Sequence, residues 1–428
     1  MTALFLLSLF FLLLFLNVPI SFAIGLSSFV FMIFAIDFTP AATTIAQRMT
    51  NGVNSFALMA IPFFILSGQI MAQGGIAKRL INCAMALLGA LPGGLALVNV
   101  LSCTFFGAIS GSAVASTSAI GSFMIPQMEK AGYSREFSAS VTAAASTTGL
   151  IIPPSNILII YAVASGGVSI SALFLAGYLP GLLVAFGLML CCVMYAKKKG
   201  FHASERLPLK VALSYIWQAV PSLALIIIVM GGIITGVFTP TEAGAIAVIY
   251  AFILAAGVYR EISLAKFSEI LTKTIETTAI VLFLIATSAA LSWVLSYENI
   301  PQDLTRVLLA ISENPLMILL IINLILLLIG AFMDMTPAVL IFTPIFLPIA
   351  ASLGIDPIHF GIMMVLNLSI GLCTPPVGAI LFVSCAVAKT KIEKMFKPMI
   401  PLYIAMLVAL VLVIAFPSIT KTLPDMFS

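Results

Sequence analysis

Apolar residues follow one another along this chain in long continuous runs that short polar breaks separate. Many of these runs reach the length of about 20 residues that a membrane-spanning helix needs. They do not alternate between apolar and polar positions, as the strands of a membrane barrel would. Within lipid, only helices and closed barrels satisfy their own backbone hydrogen bonds. The pattern therefore predicts an all-α polytopic membrane protein.

The composition excludes an ordinary soluble domain. Of the 428 residues, 62% are hydrophobic and 8% are charged, whereas a soluble domain carries about 25% charged residues. The first apolar run, from Ala3 to Ile36, contains no Lys or Arg, and the first basic residue is Arg48. A signal peptide has a basic start and a shorter apolar run. We therefore expect a retained membrane segment that Asn17 and Pro19 bend or divide.

The basic residues predict the topology, because short basic loops stay on the cytoplasmic side of a membrane. They form five groups: Lys78 and Arg79; Lys130 and Arg135; Lys197, Lys198, Lys199, Arg206 and Lys210; Arg260, Lys266 and Lys273; Lys389, Lys391, Lys394 and Lys397. One path through the membrane places all five groups in the cytoplasm. On this path the segment 95–128 either crosses twice or dips in and returns.

An internal repeat is the most informative feature of the sequence. Gly149–Pro154 and Gly371–Pro376 share the pattern Gly-Leu-x-x-Pro-Pro at an offset of 222 residues (149 to 371). Further pairs lie at this offset, or within one residue of it: Pro126 with Pro348, Gly132 with Gly354, and Gly107 with Gly330. Four identities in six positions, extended at one offset, predict a true duplication.

Each copy contains a segment that we interpret as a re-entrant helical hairpin. The polar centres are Gly107, Ser110, Gly111 and Ser112 in the first copy, and Gly330, Asp334, Thr336 and Pro337 in the second. The alternative is a pair of ordinary helices with a short polar turn. Five predicted crossings separate the two hairpins, and an odd number gives the copies opposite orientations. Inverted repeats of this kind are a recurring architecture of secondary transporters.

The two Gly-Leu-x-x-Pro-Pro stretches predict broken helices. Two successive prolines after a glycine remove backbone donors and clash with the preceding turn, although a simple kink is the alternative. Unwound backbone within a membrane is tolerated where it is buried in protein or lines a cavity. Its free carbonyls are suitable ligands for a hard cation, together with hydroxyls such as those of Ser110 and Thr374.

The scarcity of intramembrane acids favours Na⁺ over H⁺ as the coupling ion. Asp334 is the only central carboxylate of the hairpins and broken helices, whereas a proton relay usually has several titratable groups at membrane depth. Helix N-termini at the hairpin tips are suited to bind a carboxylate substrate. The candidate substrate contacts are Ser112, Asn156, Asp334 and Thr336.

Four stretches resemble the large membrane subunit of tripartite ATP-independent periplasmic (TRAP) transporters, and the resemblance covers essentially the whole chain. They are Ala60–Gly68 (AIPFFILSG), Phe106–Ala113 (FGAISGSA), Ile151–Ser155 (IIPPS), and Gly330–Asp334 (GAFMD) continuing through Pro337, Pro344 and Pro348. The resemblance implies an elevator-type transporter that uses a Na⁺ gradient. It also implies two sodium sites, one from Ser110, Gly149, Ile152 and Pro154, and one from Gly330, Gly371, Thr374 and Val377. Ile152 and Val377 have apolar side chains, so only their backbones can serve as ligands.

The resemblance also implies a division of the chain and a set of partners. We expect scaffold helices in 1–92 and 166–314, repeats in 93–165 and 315–390, and a final scaffold helix in 391–428. The expected partners are a small membrane subunit (Q type), a periplasmic substrate-binding protein (P type), membrane lipid and a small organic acid, but no nucleic acid. The resemblance implies an organic acid of the sialic acid or C4-dicarboxylate class and a location in the bacterial inner membrane.

Two other readings of the sequence remain as alternatives to the tripartite transporter. A stand-alone Na⁺/carboxylate symporter would carry the same inverted repeats and need no binding protein. An intramembrane enzyme is disfavoured, because the two histidines lie far apart in the sequence and no catalytic grouping appears at membrane depth. We therefore expect no enzymatic activity.

Overall fold

The computed structural model describes residues 2–201, 207–312 and 314–427, and Arg206 of the third basic group lies outside them. The helices are α1 (Thr2–Phe15), α2 (Ile20–Ala35), α3 (Phe38–Val53), α4 (Ala60–Gln73), α5 (Ile76–Leu88), α6 (Gly94–Ser110), α7 (Ala113–Lys130), α8 (Arg135–Ser146), α9 (Thr148–Ile151), α10 (Asn156–Ala164), α11 (Ile170–Lys199), α12 (Leu209–Ile234), α13 (Pro240–Phe252), α14 (Leu264–Tyr297), α15 (Ile300–Ile311), α16 (Pro315–Phe332), α17 (Met335–Ser352), α18 (Pro357–Gly371), α19 (Ala379–Ala388), α20 (Ile392–Ala415) and α21 (Ser418–Phe427). A 3₁₀ turn, Phe56–Met59, precedes α4, and a π-helical turn, Ile253–Val258, follows α13.

The predicted all-α membrane architecture is confirmed. Within the described ranges, eight helices are long and apolar enough to cross a membrane, and there are nine if Arg135–Ile151 and Asn156–Ala164 form one bent span. These two pieces meet at an angle of 51°. The first apolar run divides as expected, because α1 ends before Asn17 and α2 begins just after Pro19.

The helix boundaries recur at the offset found in the sequence. α8 and α18 begin 222 residues apart, and so do α11 and α20. Ser112 and Asp334, which directly precede α7 and α17, have the same spacing. Gly132 and Gly354 both have positive φ, 91° and 74°, in the turns before α8 and α18. The offset of the proline motif therefore recurs in the boundaries of the hairpins and broken helices.

Two groups of helices pack internally and meet along one interface. α2, α3, α4, α13 and α14 pack against one another, and the helices of the two repeats form the second group. α4 contacts α6 and α10 at the interface, while α14 contacts α17. α11 and α20 pack on the repeat helices, which favours counting them with the repeats, although the predicted division placed them in the scaffold.

A stack of aromatic rings ties the first repeat to α11. The rings of Phe137 in α8 and Tyr195 in α11 lie 3.6 Å apart with planes 8° from parallel. Tyr133 and Phe201 stack beside them at 4.2 Å. Aromatic pairs contribute a specific attraction in addition to the apolar area that they bury. The stack therefore anchors the turn between α7 and α8 to the end of α11.

Replacing Phe137 tests this anchor. Its side chain is 1% exposed, so Phe137→Ala leaves a cavity and costs about 3–5 kcal/mol of folding stability. We expect a clearly lower melting temperature of the purified protein in detergent. Phe186→Ala is the matched control, because that ring is 68% exposed on α11. Equal melting temperatures for the two variants would contradict the role of the stack.

Candidate functional site

The tips of both hairpins and residues at the edges of both helix breaks line one cavity of about 360 Å³. α4 and α14 form its other wall. The polar residues that line it are Gln69, Ser110, Ser112, Asn156, Thr277, Asp334 and Thr336. All four candidate substrate contacts lie among them, together with Ser110 of the predicted first sodium site. Residues that are far apart in the sequence therefore share one site.

The first hairpin turns at Gly111 and Ser112, between α6 and α7. Gly111 has φ +62°, a left-handed conformation that glycine adopts without steric cost. A β-carbon there would lie 2.9 Å from Nδ2 of Asn156, so glycine also permits close packing on α10. The Ser112 hydroxyl caps α7 by accepting from the Ala115 amide at 3.2 Å. The tip thus presents a capped helix start to the cavity.

The second hairpin turns at Met333 and Asp334, between α16 and α17. The Asp334 side chain is exposed, and it is the only charged group among the described residues that line the cavity. Thr336 lies in the first turn of α17. This tip therefore brings one negative charge and one hydroxyl to the site.

Gly107 and Gly330, which we predicted at the hairpin centres, lie in the last turns of α6 and α16, just before the tips. Each glycine packs directly on the broken helix of its own repeat. A β-carbon on Gly149 would lie 2.2 Å from the Cα of Gly107, and one on Gly371 would lie 2.6 Å from the Cα of Gly330. Such close backbone contact requires glycine and needs no break in the helix, which explains the difference.

The first broken helix is unwound between α9 and α10. Its break contains the Pro153–Pro154 peptide bond, which is cis. Ser155 donates its hydroxyl to the Leu150 carbonyl at 2.5 Å, across the break. Ile152 and Pro154 of the predicted first sodium site lie in this stretch, and Gly149 lies at its edge. The predicted unwinding at the proline motif is therefore present in the first repeat.

The second broken helix is unwound between α18 and α19. Its Pro375–Pro376 bond is also cis. The amides of Val377 and Gly378 both donate to the Ala331 carbonyl, at 3.1 and 3.4 Å, so this break is bonded to the second hairpin. Tyr403 in α20 donates to the carbonyl of Cys373. Hydrogen bonds to backbone carbonyls thus join the break to the hairpin and to α20.

The predicted second sodium site lies at this junction. Gly330 and Gly371 are in contact, as described, and Thr374 follows within the break. The Thr374 hydroxyl donates its proton to the Ile370 carbonyl at 2.8 Å, which leaves the oxygen lone pairs available. Val377 is 43% exposed, and its amide is bonded to Ala331. The residues are neighbours in space, while their role as ligands stays a prediction.

Sequence reasoning missed the α4 and α14 wall of the cavity. Gln69 and Thr277 line the site, although neither belongs to the repeat. Gly68 lies beside Gln69, and a β-carbon there would lie 2.6 Å from the Ser110 carbonyl oxygen. The available signal was an uncharged polar residue within an otherwise apolar helix. It is weak, because only the folded chain shows which side of α4 meets the hairpin.

Residues 7–419 match the family described as the tripartite ATP-independent periplasmic transporter, DctM component. The chain belongs to this family. The fold, the length of the match and the resemblance in the four motif stretches all agree with this assignment. Its members are TRAP transporter large permeases, so the expectation of a membrane transporter subunit is confirmed.

Several TRAP permeases of known name are similar over nearly the whole chain. The sialic acid TRAP transporter large permease SiaM of Vibrio cholerae is 38% identical over 97% of this chain and 96% of its own length. An uncharacterised protein, YgiK of Salmonella typhimurium, is 53% identical over 96% and 94%. The isethionate TRAP permease DctMQ of Oleidesulfovibrio alaskensis is 42% identical over 94% of this chain, which spans 63% of that longer protein.

Solved structures of transporters share the fold. The YdaH transporter of Alcanivorax borkumensis has a TM-score of 0.62 at 17% identity and covers 90% of each chain. MtrF of Neisseria gonorrhoeae has a TM-score of 0.57 at 15% identity, over 88% of this chain and 84% of its own. At these identities the likeness concerns the fold alone.

The glycine contacts give a direct test of the site's construction. Gly149→Ala places a methyl group against the Gly107 backbone, and overpacking of this kind costs about 1–3 kcal/mol. We expect a lower melting temperature in detergent, and the same for Gly371→Ala. The control is Gly231→Ala in α12, where a β-carbon meets nothing within 4 Å. Alanine stabilises a helix more than glycine does, so Gly231→Ala should not lower the melting temperature. A lower melting temperature for all three variants would contradict the role of the glycine contacts.

Proposed function

We propose that this chain is the large permease of a Na⁺-coupled symporter that moves an organic acid across the bacterial inner membrane. A periplasmic binding protein delivers the substrate, and a small membrane subunit supports the large one. The observation that carries the proposal is the single cavity at which both hairpin tips and both helix breaks converge. Membership of the TRAP family supports the division into three components.

The charges around the cavity favour an anion that arrives together with a cation. Asp334 provides a negative charge, and neither Lys nor Arg is present among the described lining residues. An organic acid in this site would meet repulsion from Asp334. Bound Na⁺ supplies positive charge there. Coupling of substrate to sodium then follows from electrostatics, because each ligand lowers the cost of binding the other.

Four helix starts provide the remaining attraction for a carboxylate. α7, α10 and α17 begin at Ala113, Asn156 and Met335, which line the cavity, and α19 begins one residue before Ile380, which also lines it. Helix N-termini carry partial positive charge and free N–H groups. Ser112, Asn156 and Thr336 add hydroxyl and amide groups for orientation. The first repeat contributes the starts of α7 and α10, and the second repeat contributes those of α17 and α19.

The unwound stretches are suited to hold sodium. The hydroxyl of Thr374 offers lone pairs, as described above, and backbone carbonyls of Gly330, Gly371 and Val377 complete the proposed second site. In the first repeat the proposed ligands are Ser110, Gly149, Ile152 and Pro154. Carbonyl and hydroxyl oxygens are the ligands that hard cations prefer.

The first hairpin tip meets α4 at Gly68, near the end of α4 that we predict to be cytoplasmic, which supports an inward-facing state. The carbonyl of Gln73, the last residue of α4, accepts from Nζ of Lys266, a member of the fourth basic group. Gln69 lies four residues earlier, about 6 Å along the helix. In an elevator mechanism the repeats would carry the cavity along α4 and α14 towards the periplasm.

The named relatives support an organic acid as the substrate. These relatives are named as transporters of sialic acid, C4-dicarboxylates, isethionate and 2,3-diketo-L-gulonate. All are organic acids, and the helix starts described above bind the carboxylate or sulfonate group that such compounds have in common. We propose sialic acid or a C4-dicarboxylate as the first substrates to test.

Reconstitution tests the proposal. Proteoliposomes would contain this chain with its small membrane subunit, and the binding protein would be added outside. We expect uptake of a radiolabelled organic acid only with both partners and an inward Na⁺ gradient. Uptake of free acid by this chain alone would favour the stand-alone symporter. Uptake that a Na⁺ gradient does not change would contradict sodium coupling.

Thr374 tests the second sodium site. Thr374→Val keeps the shape of the side chain but removes the hydroxyl. A lost contact to a charged group costs about 1.5–3 kcal/mol, so we expect the Na⁺ concentration for half-maximal uptake to rise about ten-fold or more. Thr374→Ser retains the hydroxyl and should stay near the wild type. An unchanged Na⁺ dependence of Thr374→Val, at equal expression, would exclude this ligand.

A further inference from the structure

The wall of the cavity that faces the hairpin tips is mostly apolar. α4 contributes Ile61 and Ile65, and α14 contributes Val281 and Leu284. Only two side chains of this wall carry hydrogen-bonding groups, namely Gln69 in α4 and Thr277 in α14. Both lie outside the repeats, so the duplication does not assign them a role.

The two polar groups differ in what they are free to bind. Thr277 donates its hydroxyl to the Lys273 carbonyl at 2.8 Å, within its own helix. The Gln69 amide has no hydrogen-bond partner among residues 2–201, 207–312 and 314–427, although its side chain is half-buried. A side-chain amide has two donors and one acceptor. Its position in a membrane helix makes unsatisfied polar groups costly, so this amide is placed to bind a ligand.

The backbone of α4 brings Gln69 close to the first hairpin tip. Gly68 lies so near to Ser110 that a β-carbon would stand 2.6 Å from the Ser110 carbonyl oxygen. Gln69 is the next residue and faces the same cavity as Ser112 and Asp334. A molecule bound between the hairpin tips and α4 is therefore within reach of the amide.

We infer that Gln69 contacts the transported organic acid directly, by donating from its amide to an oxygen of the substrate, and that it does so in the inward-facing state. The inference rests on the proposed function and extends its binding site to a helix outside the repeats. When the repeats carry the substrate outward, the first hairpin tip moves along α4 from Gly68 towards the Ile61 end of the cavity wall, and the hydrogen bond to Gln69 is lost. Gln69 thus determines affinity on the cytoplasmic side only.

Gln69→Met is the sharpest variant, because it replaces the amide by an unbranched apolar side chain of similar size. Gln73→Met is its matched control: the same substitution one turn later in α4, at a half-buried residue that does not line the cavity. Gln69→Glu keeps the size and polarity but adds a negative charge to the cavity of Asp334. Melting temperatures in detergent check that all three variants fold.

The assay measures each side of the membrane separately in proteoliposomes that contain both membrane subunits. The binding protein outside selects the molecules whose periplasmic side faces outward. The probes are radiolabelled N-acetylneuraminate, succinate, isethionate and 2,3-diketo-L-gulonate, each with its own binding protein partner, and the one that the wild type takes up is used. Internal substrate at rising concentration then drives exchange from the cytoplasmic side.

For Gln69→Met we expect the internal concentration for half-maximal exchange to rise about ten-fold, the effect of one lost hydrogen bond. The external concentration for half-maximal uptake should change less than two-fold. Gln69→Glu should show the larger loss, and Gln73→Met should match the wild type. Equal values for Gln69→Met and Gln73→Met, or equal shifts on both sides, would overturn the inference while leaving the proposed function intact. A wild type that takes up none of the probes would instead overturn the proposed function, and the inference with it.

Discussion

Backbone contact between paired glycines holds each hairpin against the broken helix of its own repeat. Gly107 meets Gly149, and Gly330 meets Gly371, at distances that leave no room for a β-carbon. Because the helices approach so closely, the hairpin tips reach the level of the proline breaks. The cavity, its helix starts and its unwound backbone all depend on this approach. Any side chain at these four positions would separate the elements from which the site is built.

The arrangement also explains how an anion can be bound without a basic side chain. Four helix starts converge on the cavity, where the partial charges act on the same small volume. Asp334 opposes a bare anion and attracts a cation. Carbonyls freed by the proline breaks are close at hand for that cation. If the proposed function holds, such a site would bind sodium and substrate together, whereas a fixed arginine would bind the anion without sodium.

The sequence was sufficient for the architecture and for the polar residues of the repeats. Continuous apolar runs predicted the helices, and the duplicated Gly-Leu-x-x-Pro-Pro predicted both breaks, because two successive prolines after a glycine disfavour a helix. It was insufficient where the outcome depends on packing between distant segments. The pattern placed Gly107 near the hairpin centre but did not show that it contacts Gly149, and Gln69 belonged to no motif. Gly107 depends on its contact with Gly149, about 40 residues later in the chain. Gln69 depends on the contact of the neighbouring Gly68 with Ser110, which lies in the other group of helices.

The most direct test of the account is whether the repeats move as one body past the α4 and α14 group. Spin labels on Phe186 in α11 and Ile249 in α13, both well exposed, report the distance between the two groups of helices. Labels on Phe186 and Ile404, which both lie in the repeat group, report the distance within it. Addition of Na⁺ and loaded binding protein to the reconstituted complex should change the first distance by several ångström and leave the second unchanged. A constant distance between the labels on Phe186 and Ile249 during transport would contradict the account. So would an equal change in the distance between the labels on Phe186 and Ile404.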